Sequence, residues 1–243
     1  MLERPTRGPG VTIEPESPGT PGRGKTVALS ADAIVDCALE LARREGSQAL
    51  TLRRIGKELG ADPTAFYRYF RDKDELVLAC MDKVLDIAFE RYEEDSASLD
   101  WRARLRRAAH VFYTVAEEFP TVTALGFARI TGGPGERRWV EMVISTLHGV
   151  GLPPGLTALH YRAFVDAMLA MSGLRATVHG LPAALADKDD AAWLRVYGAL
   201  PRDQFPAIRA HSEELVRVEE HDVFSTVVDA VLTNIEVAAR AHG

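Results

Sequence analysis

Residues 51–73 (TLRRIGKELGADPTAFYRYFRDK) concentrate side chains suited to holding a phosphate backbone and reading base edges. This stretch has six basic residues against three acidic ones, whereas the whole 243-residue chain has a formal net charge of −6. Arg53 carries a planar fork of donors that suits the O6 and N7 atoms of guanine. Lys73 stands where a helix is expected to begin, and there its charge and the helix dipole both favour a phosphate. The local charge indicates a specific nucleic-acid contact, and the acidic remainder argues against non-specific coating.

Two short helices joined by a tight turn are predicted to position these groups. Thr51 is a good N-cap for the first helix. The apolar face of that helix follows at helical spacing: Leu52, Ile55 and Leu59. Gly60 supplies the break that a tight turn needs, and Asp62-Pro63 then caps and opens the second helix.

The second helix is predicted to bury one face and to expose the other. Phe66 and Phe70 lie four residues apart and are expected to face inward. The outward positions are Thr64, Ala65, Tyr67, Arg68 and Tyr69. Residues 72–75 resemble a capping box that starts the next helix. This arrangement is typical of a helix-turn-helix, whose second helix enters the major groove, where Arg68 could read guanine or pair with phosphate.

The stretch from Ser30 to about Leu85 resembles the DNA-binding domain of the TetR family of bacterial transcriptional regulators. The matching positions are Thr51, Arg53, Ile55, Gly56, Leu59, Gly60, Ala61, Phe66, Tyr67, Tyr69, Phe70, Lys73 and Leu76. Two departures are mild, because Gly56 replaces the usual alanine and Tyr69 stands where histidine is common.

The resemblance implies roles for several of these residues. Tyr67 and Tyr69 fall at the family's phosphate-contacting aromatic positions, and Thr51 both caps its helix and touches phosphate. The complete predicted DNA-binding set is Thr51, Arg53, Thr64, Ala65, Tyr67, Arg68, Tyr69 and Lys73. Arg54, Lys57 and Arg71 are expected to be solvated charges instead.

The chain is predicted to have three parts. Residues 1–28 are rich in proline and glycine and hold few apolar residues, so they are expected to form a disordered arm. This arm is either a flexible tail or a contact to DNA through Arg23 and Lys25. Residues 29–76 form the helix-turn-helix domain. Residues 77–243 form a larger domain for effector binding and dimerisation.

The fold class is predicted to be all-α, with a three-helix N-terminal domain and a larger helical domain. The helices expected in and beyond the long linking helix cover residues 73–94, 101–118, 121–130, 137–150, 156–179, 189–198 and 222–241. No stretch alternates polar and apolar residues as a half-buried strand would.

The family resemblance implies a homodimer, with two reading heads about 34–36 Å apart on palindromic double-stranded DNA. Two helices of each subunit, mapped to residues 156–178 and 222–240, would form a four-helix bundle. The candidate interface residues on the second of these helices are Phe224, Val227, Val228, Val231, Leu232 and Ile235. Either helix face could instead be core within one chain.

The resemblance also implies that the larger domain encloses a small, largely apolar effector whose binding releases DNA. Such a ligand acts only through unequal affinity for two arrangements of the protein. The candidate lining residues are Phe112, Phe127, Met142, His148, Tyr161, Phe164, Met168, Trp193 and Tyr197. The text from residue 160 through residue 208 resembles the C-terminal domain of the tetracycline repressor type.

Other function classes find little support in the sequence. The chain has no HExxH, CxxC or GxSxG motif and no glycine-rich phosphate loop, so neither a catalytic residue nor a cofactor is predicted. Its seven histidines are scattered, and no metal site is predicted. No apolar run approaches the length of a membrane span, and two cysteines suit a reducing cytoplasm. The alternatives are a TetR-like protein that acts through a protein partner without DNA, and an enzyme on a helical scaffold.

Overall fold

The computed structural model describes residues 29–94, 96 and 98–242, and within them every regular element is helical, which confirms the all-α fold. The α-helices are α1 (Ala31–Glu45), α2 (Leu52–Leu59), α3 (Lys73–Glu93), α4 (Trp101–Glu118), α5 (Pro120–Gly126), α6 (Pro134–Gly149), α7 (Pro154–His179), α8 (Ala183–Asp190), α9 (Ala192–Arg195), α10 (Pro206–Arg217) and α11 (Glu220–His242). Short 3-10 helices cover Ser47–Ala49, Pro63–Arg68 and Tyr197–Ala199. The predicted arm, with Arg23 and Lys25, lies outside the described residues.

Side-chain caps begin the helices where the sequence predicts them. The Ser30 hydroxyl accepts a hydrogen bond from the Ala33 amide at 3.1 Å, and Thr51 does the same for Arg54 at 3.1 Å. Gly60 ends α2 with φ of 62°, a left-handed conformation that favours glycine. These local bonds satisfy amide groups that a helix start leaves free.

The start of α3 differs in one detail from the predicted capping box. Asp72 accepts from the Glu75 amide at 2.9 Å, as the pattern requires. The Glu75 carboxylate, however, accepts from the Arg71 amide at 2.7 Å, one residue earlier than a reciprocal box would place it. At the start of α3, the side chains of Asp72 and Glu75 therefore each accept a hydrogen bond from a backbone amide.

One apolar core joins the predicted reading head to the predicted larger domain. It includes Ile34 and Leu41 of α1, Phe66 of the turn, Cys80 of α3 and Trp139 of α6. The boundary predicted at residue 76 falls inside α3, whose buried residues contact both sides. The division at that residue stays a prediction, because the core itself continues across it.

A second apolar core lies between α4, α6, α7 and α11. Its buried members are Leu105, Ala109, Tyr113, Val143, Leu147, Leu152, Phe164, Met168, Phe224, Val228, Leu232 and Ile235. The rings of Tyr113 and Phe224 lie with centroids 4.2 Å apart, so aromatic contact ties α4 to α11.

Two glycines let α5 and the residues after it approach their neighbours closely. A Cβ on Gly126 would lie 2.8 Å from Cγ of Met81 on α3. A Cβ on Gly173 of α7 would overlap the ring of Phe127. The chain at residues 126–127 is therefore wedged between α3 and α7, where no larger residue fits.

Residues 181–218, which we call the outer arm, pack mainly against one another. The prediction here was wrong in detail: one helix was expected over 189–198, whereas the structure has α8, α9, a 3-10 turn and α10. Among the described side chains of the outer arm only Ser212 is buried. In the described part of the chain, no helix is both long enough and apolar enough to cross a bilayer.

The contact of Gly173 with Phe127 gives a stability prediction. Gly173→Ala is expected to lower the free energy of unfolding, because overpacking costs about 1–3 kcal/mol, against a gain in helix propensity of about 1 kcal/mol. Gly149→Ala, in the last turn of α6 with nothing within 4 Å of the added carbon, is the control and is expected to be neutral or stabilising. Urea unfolding of both variants makes the comparison, and equal stability of the two would contradict the close approach.

Candidate nucleic-acid interface and ligand cleft

The predicted second helix of the helix-turn-helix is a 3-10 helix, Pro63–Arg68. Asp62 caps it by accepting from both the amide and the hydroxyl of Thr64, each at 2.8 Å. The backbone bond from Thr64 is the main reason that the pKa of Asp62 lies below its usual range. Phe66 and Phe70 are buried as predicted, so they hold this turn against the core.

Most of the predicted DNA-binding residues are exposed. Tyr67 is 62% exposed, and Thr51, Arg53, Thr64, Arg68 and Lys73 are exposed as well, while Ala65 is half-buried. Within the described ranges, neither Arg53 nor Lys73 has an ion-pair or side-chain hydrogen-bond partner, so both cations are available to a ligand. Arg68 makes one long contact, 3.5 Å from Nε to the Ala65 carbonyl oxygen.

Tyr69 does not share the outer face with Tyr67, and its prediction as a free phosphate donor is wrong. It is half-buried, and its hydroxyl donates to the Leu29 carbonyl at 2.7 Å. The reason is the tight winding of the turn: with three residues per turn, Tyr69 falls below buried Phe66. Its hydroxyl proton therefore anchors the chain just before α1.

Arg54 was expected to be a solvated charge, but it binds two carboxylates. Its guanidinium lies 2.6 Å from Glu45 and 2.7 Å from Glu58, and Arg44 also reaches Glu58 at 3.1 Å. Hydrogen bonds from Arg54 hold the pKa values of Glu45 and Glu58 below the usual range. This network ties α2 to the end of α1. Of the two adjacent arginines, Arg54 is therefore engaged in ion pairs, and Arg53 has no ion-pair partner among the described residues.

A second candidate site lies in the larger domain, between the α5–α6 connection and α7. An open cleft of about 740 Å³ there leads to an inner cavity of about 60 Å³. Of the predicted pocket residues, Phe127 and Tyr161 line both spaces, and Phe112 and Met168 line the inner cavity. Burial raises the pKa of the Tyr161 phenol.

Five predicted pocket residues lie elsewhere. Met142 and Phe164 pack in the apolar cores, and His148 is exposed in the last turn of α6. Trp193 and Tyr197 belong to the outer arm, where their rings stack with centroids 4.8 Å apart. Helical spacing identified apolar side chains, but it could not distinguish a cavity wall from a packed core.

Three charged residues of the cleft, Arg129, Glu136 and Arg162, were not predicted from the sequence, because the predicted lining is mainly apolar and aromatic. Arg129 and Glu136 line both the cleft and the inner cavity. Arg129 forms a bidentate ion pair with Asp74 of α3, with both N–O distances 2.8 Å. On the cleft wall, Arg162 and Asp166 pair with each other at 2.9 Å. The sequence feature that could have pointed to Arg129 is its position just before the glycine-rich segment 131–135.

The predicted dimer face of α11 is largely core within one chain. Phe224, Val228, Leu232 and Ile235 are at most 3% exposed, so the interface assignment of these four is wrong. They pack against α4, α6 and α7, which leaves no side-chain surface for a partner. Val227 and Val231 are half-buried at the edge of the same core.

Histidines of α4 and α11 come together, but without the ligands of a metal site. The rings of His110 and His221 have centroids 5.1 Å apart. Burial, and then the charge of His221, lower the pKa of His110. Among the described residues, no group of three or more His, Cys, Asp or Glu side chains could hold a metal ion.

The Arg54 network predicts a pH-dependent contribution to stability. Because the pKa values of Glu45 and Glu58 are lowered in the folded protein, the contribution is present above about pH 4.5 and is lost as pH falls through the folded values. Arg54→Gln should therefore be less stable than the parent protein at pH 7, and the difference should shrink toward pH 3. Urea unfolding across this range measures it, with Arg53→Gln as the control. A difference independent of pH would show that the ion pairs are not its cause.

Comparisons with known proteins agree with the helix-turn-helix geometry. Residues 34–80 match the family described as "Bacterial regulatory proteins, tetR family". The HTH-type transcriptional repressor DrrR1 of Streptomyces coeruleorubidus is 30% identical over 135 residues, which are 54% of this chain and 48% of that protein. The HTH-type transcriptional repressor Rv1353c of Mycobacterium tuberculosis is 30% identical over 142 residues, which are 56% and 53% of the two proteins.

The chain thus spans about half the length of the curated relatives it matches. Over the rest of the chain the evidence of similarity is the fold. The crystal structure of apo ActR from Streptomyces coelicolor superposes with a TM-score of 0.75 at 19% identity, covering 89% of this chain and 99% of ActR. From the helix-turn-helix geometry, the matched family model and these relatives, we conclude that residues 34–80 form a DNA-binding domain of the tetR family of bacterial regulatory proteins.

Proposed function

We propose that the protein is a sequence-specific DNA-binding transcriptional repressor, which binds a palindromic operator as a homodimer and is released by a small molecule. The observation that carries this proposal is the set of exposed side chains in the helix-turn-helix. Arg53 and Lys73 are unpaired among the described residues, and Tyr67, which lies between them in the sequence, is exposed. The neighbouring Arg54, in contrast, is held by carboxylates. The names of the curated relatives, which are repressors, support the same reading.

Each exposed group has a role that suits its chemistry. Lys73 is the first residue of α3, where the dipole of a 21-residue helix adds to its charge, so it is suited to a phosphate. Tyr67 can donate its hydroxyl to phosphate. Arg53 and Arg68 are proposed to read guanine edges. Thr64 can offer its methyl group to thymine, because its hydroxyl proton is donated to Asp62.

A homodimer is proposed because one head of this size reads too few base pairs for a unique site. The helices predicted for the interface, α7 and α11, remain the best candidates, but through other faces. Leu159 and Leu174 of α7 are 59% and 61% exposed, and Val237 of α11 is 60% exposed. Val223, near the start of α11, is also exposed, so an apolar side chain faces outward near each end of that helix.

An effector is proposed to bind in the cleft between the α5–α6 connection and α7. Its volume of about 740 Å³ lies in the range of small-molecule sites. ActR, which has the same fold, has been solved in complex with actinorhodin. For this chain the support is the cleft itself and its attachment to α3, where Asp82 accepts from the amides of Gly135 and Glu136 at 3.1 and 2.9 Å.

The two tyrosines provide a matched test of the DNA interface. Tyr67→Phe is expected to lower affinity for all duplexes alike by about tenfold, because a hydrogen bond to a charged phosphate is lost. Tyr69→Phe is expected to lower the free energy of unfolding by about 1 kcal/mol and to leave DNA affinity unchanged, because its hydroxyl faces Leu29. Fluorescence anisotropy with labelled duplex and urea unfolding measure the two effects. If the two variants lost affinity equally, Tyr69 would belong to the interface after all.

Selection of bound sites from random-sequence duplex DNA tests the proposed function directly. Enrichment of a palindrome is expected, with half-sites spaced about one helical turn apart. Arg53→Ala and Arg68→Ala should each relax the preference at particular base pairs, at a cost of about 1–3 kcal/mol per misread pair. Lys73→Ala is the control, because losing a phosphate contact lowers affinity without changing the selected sequence.

Two outcomes of this selection would count against the proposal. No enrichment by a folded protein would reject sequence-specific DNA binding and favour action through a protein partner. A preferred site that Arg53→Ala left unaltered would reject its base-reading role alone.

A further inference from the structure

We infer that the cleft accepts an apolar ligand carrying an acidic group, and that Arg129 binds this group in exchange for Asp74. The inference deepens the proposed function, because it names the chemical class of the effector and the contact through which the effector reaches α3. It rests on the distribution of charge between the cleft and its inner cavity.

The inner cavity accepts an apolar group. Its wall is formed by side chains such as Leu85, Phe112, Trp139, Val143 and Met168. A molecule bound there would bury apolar surface, and its polar part would have to remain near the opening.

Among the described residues, two charged side chains stand where the cleft meets the inner cavity, since Arg129 and Glu136 line both spaces. The Glu136 carboxylate already accepts from the Gly132 amide at 2.5 Å and from the Thr131 hydroxyl at 3.1 Å. Its charge is therefore used in holding the start of α6. The other charged residues of the cleft line its outer part alone, away from the inner cavity: Arg137, Glu141, Arg162 and Asp166. Of the two arginines among them, Arg162 is paired with Asp166, and Arg137 donates to the Gly132 carbonyl at 2.9 Å.

The charge of Arg129, in contrast, is neutralised by a residue that lies outside the cleft. Its partner Asp74 lines neither the cleft nor the inner cavity, and the two side chains are 45% and 57% exposed. Water and salt screen an ion pair with that exposure, so Asp74 holds the guanidinium less tightly than a buried partner would. A carboxylate or sulfonate held by its apolar body beside Arg129 can form the same two-pronged contact and compete for the guanidinium.

This exchange would give the ligand a contact with the reading head. Asp74 directly follows Lys73 in the first turn of α3. Loss of the Arg129–Asp74 pair would remove one tie between the α5–α6 connection and that end of α3. The ligand would then bind more tightly to arrangements in which this tie is open, which is the condition for an effector.

Two fluorescent probes with the same ring systems test the ligand class. 1-Anilinonaphthalene-8-sulfonate carries an acidic group, and N-phenyl-1-naphthylamine does not. The full chain, without DNA, is expected to bind the sulfonate at least about tenfold more tightly. Arg129→Gln should abolish this preference. Arg175→Gln, which removes an ion-paired arginine that does not line the cleft, should keep it.

Asp74→Asn tests the exchange itself. It frees Arg129, so affinity for the sulfonate is expected to rise about threefold while affinity for the neutral probe stays the same. Val165→Trp should fill the cleft and remove the binding of both probes. This variant distinguishes binding in the cleft from binding to the exposed apolar surface of the outer arm.

Several results would overturn the inference. These are equal affinity for the two probes, equal losses in Arg129→Gln and Arg175→Gln, no change in Asp74→Asn, or undiminished binding in Val165→Trp. These measurements contain no DNA, so their outcome does not depend on the outcome of the site-selection experiment. If the site selection yielded a palindrome and the two probes bound equally well, the proposed DNA-binding function would stand and the proposed acidic class of ligand would be rejected.

Discussion

Helix α3 buries residues along its whole length, from Leu76 and Val77 near its start to Phe89 and Tyr92 near its end. These residues pack against α1 on one side and against α4, α5 and α6 on the other. A helix buried in this way cannot shift at one end without disturbing packing at the other, because interiors are close-packed. Both candidate sites depend on it, since Lys73 begins it and Asp74 and Asp82 hold the connection that borders the cleft.

Charge is arranged so that the cations needed for structure and those available to a ligand are different residues. Arg54 is held between Glu45 and Glu58, and its neighbour Arg53 is exposed without a partner in the described chain. A similar separation exists at the cleft, where Arg162 of α7 pairs with Asp166 of the same helix, whereas Arg129 of the α5–α6 connection pairs with Asp74 of α3. In both places one arginine is paired within its immediate structural element or network, whereas the other is unpaired or paired with a residue outside the site.

The cleft itself results from close backbone approach. Residues 126 and 127 fit between α3 and α7 only because Gly126 and Gly173 lack side chains. This brings Phe127 and Arg129 to the wall of the cleft while the chain remains bound to α3. The same short segment therefore contributes the ring and the cation of the proposed ligand site.

Local sequence determined much of the reading head. Thr51 and Asp72 cap the helices that they were expected to cap, Gly60 makes the turn, and Phe66 and Phe70 are buried, because capping, left-handed turns and helical periodicity depend on neighbours in the chain. Tertiary structure decided what local rules leave open. Winding of the turn as a 3-10 helix directed Tyr69 inward, and packing against α4 and α7 buried Phe224 and Leu232 while leaving Val237 outside. Periodicity shows that a helix has apolar residues, but which of them meet a core, a cavity or solvent depends on distant helices that the local sequence does not specify.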